Sequence, residues 1–252
     1  MRVMTESKSG LARGKKSSPA RRTDAEDALR KWAASALSKD ERLADKALRL
    51  LEEQIVTLQL PPGSMWSEAA LSAKIKIGRT PVREAVQRLA ADRLVVIMRR
   101  HGIMISKINI QDQLFVLEAR QHLEGMIAGR AARRATPKER ENLNILADAM
   151  SAAGKRGDVF DVLRYYFYSK KLLCEASRNP YAARAVASLH SLSRRFYFTY
   201  HKQFGDLSEV AELHAAQARA AARGDEKGAL AASERILAHA NAFTRQTVIN
   251  NF

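Results

Sequence analysis

Apolar and polar positions alternate along this chain in rhythms that change from segment to segment. Between about 41 and 59, Ala44, Leu48, Leu51, Ile55 and Leu58 recur every three or four residues, which predicts an amphipathic helix. The stretch L-P-P-G-S (60–64) stops it, because proline lacks the amide donor and clashes with the preceding turn. A short second helix is predicted from Ser67, a capping residue, with Ala70, Leu71 and Ile75 on its apolar side. A third is predicted over R-T-P-V-R-E-A-V-Q-R-L (79–89). At about 100° per residue, Val82, Ala85, Val86 and Leu89 share one arc, and Arg79, Thr80, Arg83 and Gln87 an adjacent one. Pro81 is compatible with a first helical turn, so it marks a start rather than a break.

The rhythm then shifts. L-V-V-I-M (94–98) and I-M-I-S-K-I (103–108) are strand-like, with R-R-H-G (99–102) as a basic turn between them. Three helices followed by a hairpin predict a winged helix-turn-helix, with the apolar arc of the third helix seating it and the basic arc free to enter a DNA groove. From 109 onward the pattern is helical throughout. Helices are predicted near 110–133, 137–154, 157–177, 180–203, 207–223 and 225–249, with breaks at T-P-K, G-K-R-G-D, R-N-P, F-G-D and R-G-D. The expected fold is therefore mainly α: an N-terminal winged helix-turn-helix with a small β-hairpin, then an all-α helical bundle. The expected division is a basic extension (1–38), a DNA-binding domain (39–108) and a helical effector-sensing and dimerisation domain (109–252).

Charge narrows the function. The 252 residues carry a formal net charge of +16, which favours a polyanionic partner, either nucleic acid or an anionic membrane surface. No basic amphipathic helix with an exposed apolar face stands out, and no apolar run approaches the roughly 18 residues needed to cross a bilayer, so no membrane role is expected. The lone cysteine, Cys174, precludes an intrachain disulfide, in keeping with a cytoplasmic location. Residues 1 to about 23 read as a solvated leader or as a tail that releases counterions on DNA, and 24–38 as a short helix anchored by Trp32 and Leu37.

At these motifs the sequence resembles the GntR family of bacterial transcription regulators. The matching pieces are L-P-P-G-S-M-W-S-E (60–68), I-G-R-T-P-V-R-E-A-V-Q-R-L (77–89) and R-R-H-G-I (99–103). E-A-R-Q-H-L-E-G (118–125), A-S-R-N-P (176–180) and R-G-D (223–225) resemble the helical ligand-sensing domain of its FadR-like subfamily. The resemblance places Arg79, Thr80 and Arg83 at the major groove and His101 with Gly102 at a wing tip in the minor groove. Ser67, Arg99 and Arg100 are candidate phosphate contacts, which set register rather than read sequence, and Gln87 shares the exposed arc. Gly78 stands where relatives carry Ser or Thr, and Ala69 where some carry a basic contact. Arg88 and Arg93 read as surface charges.

Many FadR-like sensing domains hold a divalent metal through one Asp and three His. The resemblance puts Arg164 at the Asp position, Tyr168 at the first His, His214 at the second and Ile236 at the last, with His239 one turn later. An arginine repels a cation and a single imidazole is too few ligands, so neither metal nor other cofactor is expected. Arg120, Arg164, Tyr168 and His214 are the candidate effector residues, with an arginine fork suited to a carboxylate. The aromatic runs Y-Y-F-Y (165–168) and R-F-Y-F-T-Y (195–200) fit a core, and together they can line a cavity.

No nucleophile–base pair, glycine-rich phosphate loop or metal cluster is visible, so no enzyme is expected. The expected function is a homodimeric, sequence-specific repressor on a pseudo-palindromic double-stranded operator, modulated by a small metabolite. The alternative is a constitutive or architectural DNA-binding protein without an effector.

Overall fold

The structure, a computed structural model, describes residues 41–204 and 206–251. The extension expected over 1–38, with its short helix, lies outside them. Helix α1 (Leu43–Val56) buries Ala44, Ala47, Leu51, Ile55 and Val56, one face at helical spacing. The chain turns through Pro61, Pro62 and Gly63 into a two-residue strand, β1 (Met65–Trp66). Ser67 then accepts a hydrogen bond from the Ala70 amide and caps α2 (Glu68–Ile75). Helix α3 (Arg79–Ala91) starts at Gly78 without a side-chain cap, as the glycine requires, and buries Val82, Ala85, Val86 and Leu89.

Strands β2 (Val95–Met98) and β3 (Gly102–Ile105) form the expected hairpin, in register Val96 to Met104 and Met98 to Gly102. They are part of a three-stranded antiparallel sheet in the order β1-β3-β2, because Met65 and Trp66 pair with Met104 and Ile103. A core of Leu51, Ile55, Leu60, Leu71, Val82, Leu89, Leu94 and Ile105 holds helices and sheet together.

Asn109 caps α4 (Ile110–Arg134) and begins the helical half. There follow α5 (Pro137–Lys155), α6 (Val159–Ala176), α7 (Pro180–Phe204), α8 (Leu207–Arg223) and α9 (Glu226–Asn251). Each start has a local cause. Thr136 and Glu139 form a reciprocal capping box, and Asp158 and Asp206 accept amide hydrogen bonds at the starts of α6 and α8. The core here is built from Leu143, Leu146, Met150, Leu172 and Leu173 together with many alanines. Those alanines let α5 and α8 approach closely: a Cβ added at Gly154 would lie 2.5 Å from that of Ala211.

Helix α7 ties the two halves together. Leu192 packs against the core of the first. Arg194 ion-pairs with Glu52 of α1, Ser191 donates to the same carboxylate at 2.5 Å, and Arg195 donates to the Ser106 carbonyl.

Candidate nucleic-acid interface and buried cavity

The exposed arc of α3 carries Arg79, Thr80, Arg83 and Gln87, all open to solvent, while the opposite arc is locked in the core. The helix is held against α1 by Arg88, whose guanidinium donates to Asp45 at 2.6 Å, so this arginine is more than a loose surface charge. Arg83 also has a partner. Its Nε and Nη2 donate to the Glu68 carboxylate of α2 at 2.9–3.1 Å. That bond holds the Glu68 carboxyl below the usual carboxylate range. Ser67 is exposed beside this pair.

The turn between β2 and β3 presents Arg99, Arg100 and His101 to solvent. Arg100 adopts a φ of 64°, and His101 Nδ1 lies 2.8 Å from the Arg99 carbonyl, so the tip is folded back on itself. Gly102 is half-buried and belongs to β3 rather than to the tip. Its φ is +99°, and a Cβ there would meet the Trp66 carbonyl oxygen at 2.7 Å. The glycine is required by close approach of β1, a strand too short to announce itself in sequence.

The four residues expected to share an effector site do not share one. Arg164 is exposed and paired with Asp161 at 3.0 Å. It lines, with Tyr168, a shallow cleft between α6 and α1 that also includes Arg49, Glu52 and Glu53. Arg120 and His214 instead line a separate cavity of about 70 Å³ among α4, α6, α7, α8 and α9. The face of α6 turned toward His214 is that of Tyr166 and Lys170, two residues along from the expected pair. The Tyr166 and His214 rings meet edge to face with centroids 4.6 Å apart, and the Tyr166 hydroxyl is pushed up to about 12 by burial.

Around these residues lies a buried ionic cluster. Glu124 accepts two hydrogen bonds from Arg120 at 2.7 and 3.0 Å, one from Lys170 at 2.7 Å and one from His190 at 2.7 Å. Lys170 also donates to Gln217 at 2.8 Å, and Gln217 to Ser233 at 2.7 Å. Burial alone would raise the Glu124 carboxyl, but Lys170, Arg120 and His190 outweigh it and hold it well below the carboxylate range. Burial lowers His190 to about 4. His214 is held well below its ordinary value, first by burial and then by the charges of Lys170 and Arg120. The sequence signal for this network was present in E-A-R-Q-H-L-E-G, but Lys170, His190 and Gln217 carried none.

These residues do not fit the divalent metal that the FadR-like pattern implies. The α6 face toward His214 offers a phenol and an ammonium, and the ammonium is itself a cation already bonded to Glu124 and Gln217. Among the described residues no group of three or more His, Cys, Asp or Glu is arranged to hold a metal ion.

The cavity has its own polar character. Arg194 Nε, Tyr197 Oη, His214 Nδ1 and His239 Nε2 are buried atoms without a hydrogen-bond partner among the described residues, and all four residues line it. Tyr197, His239 and Arg194 were not singled out as effector residues. The aromatic run marked Tyr197 but is shared with ordinary core, His239 stood out only as one turn beyond the family pattern's last ligand position, and Arg194 carried no signal.

Residues 43–105 match the family model for bacterial regulatory proteins of the gntR family, and residues 115–239 that for the FCD domain. An HTH-type transcriptional regulator of Agrobacterium vitis, from the TAR-I ttuE-ttuC' intergenic region, is 34% identical over 116 residues, 45% of this chain and 68% of the relative. The HTH-type transcriptional repressor GlaR of Escherichia coli is 23% identical over 158 residues, 60% of this chain and 71% of that protein. Among solved structures, E. coli McbR/YncC superposes with a TM-score of 0.71 at 19% identity, covering 82% of this chain and 99% of its own. A GntR regulator described as putative, from Rhodococcus sp. RHA1, gives 0.59 at 19% identity, covering 83% and 98%.

Proposed function

The chain belongs to the gntR family of bacterial regulatory proteins, and on that premise we propose that it is a DNA-binding transcription regulator acting as a repressor. The observation that carries the reading is the exposed row Arg79, Thr80, Arg83 and Gln87 beside the basic turn of Arg99, Arg100 and His101. Arg79 and Arg83 are assigned to base edges in the major groove, where a guanidinium can bond guanine O6 and N7 with parallel donors. Thr80 and Gln87 flank them. Ser67, Arg99 and Arg100 contact phosphates, and His101 reaches the minor groove, with Gly102 shaping the strand behind it. The repressor sign follows the name of the E. coli relative GlaR.

The protein acts as a homodimer on a pseudo-palindromic operator, with half-sites about one helical turn apart. Supporting this are apolar side chains left exposed on the helical half: Phe115 and Met126 of α4, with Leu230 of α9 packed beside Gly125 and Gly129. The effector occupies the cavity lined by Arg120 and His214, and its unsatisfied polar walls favour a responsive regulator over a constitutive architectural protein. No described helix is long and apolar enough to cross a membrane.

Selection of duplexes from a random pool, followed by footprinting, tests the reading. One sharply protected palindrome is expected. Diffuse coverage without sequence preference would mean an architectural protein instead.

A further inference from the structure

Arg195 of α7 is a buried cation without a counter-charge. It is 2% exposed, and its Nη2 donates to the Ser106 carbonyl. Its Nε has no acceptor among the described residues, and no carboxylate there pairs with it. Burial alone lowers the guanidinium, to about 10, so it stays charged near neutral pH with nothing to offset the cost. Arg120, Lys170 and Arg194, buried in the same half, each have a carboxylate at hydrogen-bonding distance. A charge desolvated in this way calls for an anion set against it.

Arg195 lines a cleft of about 280 Å³ beside the connector between the two halves. Arg93, in the turn after α3, and Lys107 of the connector line it too, and both are exposed. Asp112 is the one carboxylate lining it among the described residues. Three cations thus face one carboxylate, a surplus of two positive charges. Asn109 and Asp112 are the cap and first turn of α4, so the positive end of that helix lies here as well. Phe115, Val116, Leu189 and Phe196 make the rest of the wall largely apolar. The cleft is separate from the cavity of Arg120 and His214, with which it shares only Gln113 and Phe196. Two surplus charges suit a dianion, which a phosphate monoester is above its second pKa of about 6. A carboxylate or a sulfate ester would leave one of them unanswered.

We propose that this cleft binds a small phosphate monoester, its phosphoryl group against Arg195, Lys107 and Arg93 and its body against the apolar wall of Phe115 and Leu189. The two arginines supply planar forks for the phosphoryl oxygens, and the lysine a point charge. The ligand is gripped from both halves at once, since Arg195 belongs to α7 and Arg93 and Lys107 to the winged half. Asp112 opposes it and limits its affinity. This site goes beyond the regulator reading and does not rest on it: neither an operator nor an occupant of the other cavity is needed.

Phenyl phosphate is the probe, titrated by calorimetry into the full chain at low salt in a buffer without phosphate. Phenyl sulfate, the same shape with one charge fewer, is the control. Phenyl phosphate should bind once per chain, and phenyl sulfate several-fold more weakly. Arg195→Gln should lose most of the binding. Lys107→Gln, at an exposed position that the fold does not depend on, should weaken it several-fold. Asp112→Asn should tighten it several-fold, a gain that a damaged fold does not produce. Lys107 and Asp112 line this cleft and not the cavity of Arg120 and His214, so these shifts also locate the ligand. The assignment is wrong if phenyl sulfate binds as well as phenyl phosphate, if Lys107→Gln and Asp112→Asn leave the affinity unchanged, or if phenyl phosphate does not bind up to its solubility. Displacement of bound phenyl phosphate by a DNA duplex of random sequence would give the cleft to the nucleic-acid backbone and overturn it too.

Discussion

The two ends of this molecule use arginine in opposite ways. On α3 and the wing, Arg79, Arg83, Arg99 and Arg100 stand in water, where a charge costs little to keep and is free to meet a phosphate or a base edge. In the helical half, Arg120 and Arg194 are buried, and each is held by a carboxylate, Glu124 or Glu52. A buried charge is costly unless paired and hydrogen-bonded, and these two arginines come with their carboxylates, whereas Arg195 of α7, equally buried, has the Ser106 carbonyl instead and is lowered to about 10 by burial. The DNA-facing half only had to keep one side of a helix polar. The lesson is that one residue type reports binding at the surface and interior architecture in the core, and burial tells them apart.

The sharpest way to break the contrast is to remove one member of the buried set. Glu124→Ala leaves Arg120 and Lys170 without their shared carboxylate, and should destabilise the helical half by about 3–5 kcal/mol. Urea unfolding should show this, while the equivalent loss at the surface, Arg83→Ala, leaves the midpoint nearly unchanged. Equal midpoint shifts would erase the distinction.

Acid probes the same cluster. His190 takes up a proton near pH 6.5 when unfolded but only near pH 4 when folded, because it is buried. The unfolded chain therefore binds more protons in between, and stability, complete above pH 6.5, is lost as pH falls toward 4. One such group contributes roughly 3 kcal/mol across that window. His190→Gln keeps a donor for Glu124 without titrating, so its melting temperature should fall less between pH 6.5 and 4. The remaining slope includes His214, lowered first by burial, and toward pH 4 the depressed carboxylates such as Glu124 and Glu139.

How much of this was legible in the sequence follows from the same contrast. Helix α3 shows apolar Val82, Ala85, Val86 and Leu89 against a polar arc, so its phase was fixed by periodicity, and so were its exposed residues. The helices of the second half were placed nearly residue for residue by capping residues and breaks such as Thr136, Asp158 and Asp206. Which face of α6 looks inward was not. A polar stripe of Asp161, Arg164, Lys171 and Glu175 does mark the outer face, but Arg164 and Tyr168 were assigned inward from the family's ligand positions rather than from this periodicity, to a face that belongs to Tyr166 and Lys170. The sheet shows a limit of its own. Met65–Trp66 is too short to display alternation, so the third strand, and with it the reason for Gly102, emerges only from pairing with β3.

At the surface, Arg83→Ala should weaken operator binding by about tenfold to a hundredfold and relax preference at one base position, as loss of a bidentate base contact does. Competition between operator variants reads both effects. A uniform loss across all sequences would make Arg83 a phosphate contact.

The smallest expected effect refines the contrast itself, since Arg83 is not wholly free: Glu68 holds two of its nitrogens. An exposed pair of this kind is worth little in water and is screened by salt, so it biases the side chain rather than locking it. Glu68→Gln should leave stability unchanged and raise operator affinity a few-fold at low salt, with the gain shrinking as salt rises. The opposite sign would give the carboxylate a different task. If Glu68→Gln weakened binding as much as Arg83→Ala did, Glu68 would be orienting the guanidinium for its base rather than competing with the DNA for it. The surface arginine would then be preorganised by a carboxylate much as Arg120 is by Glu124.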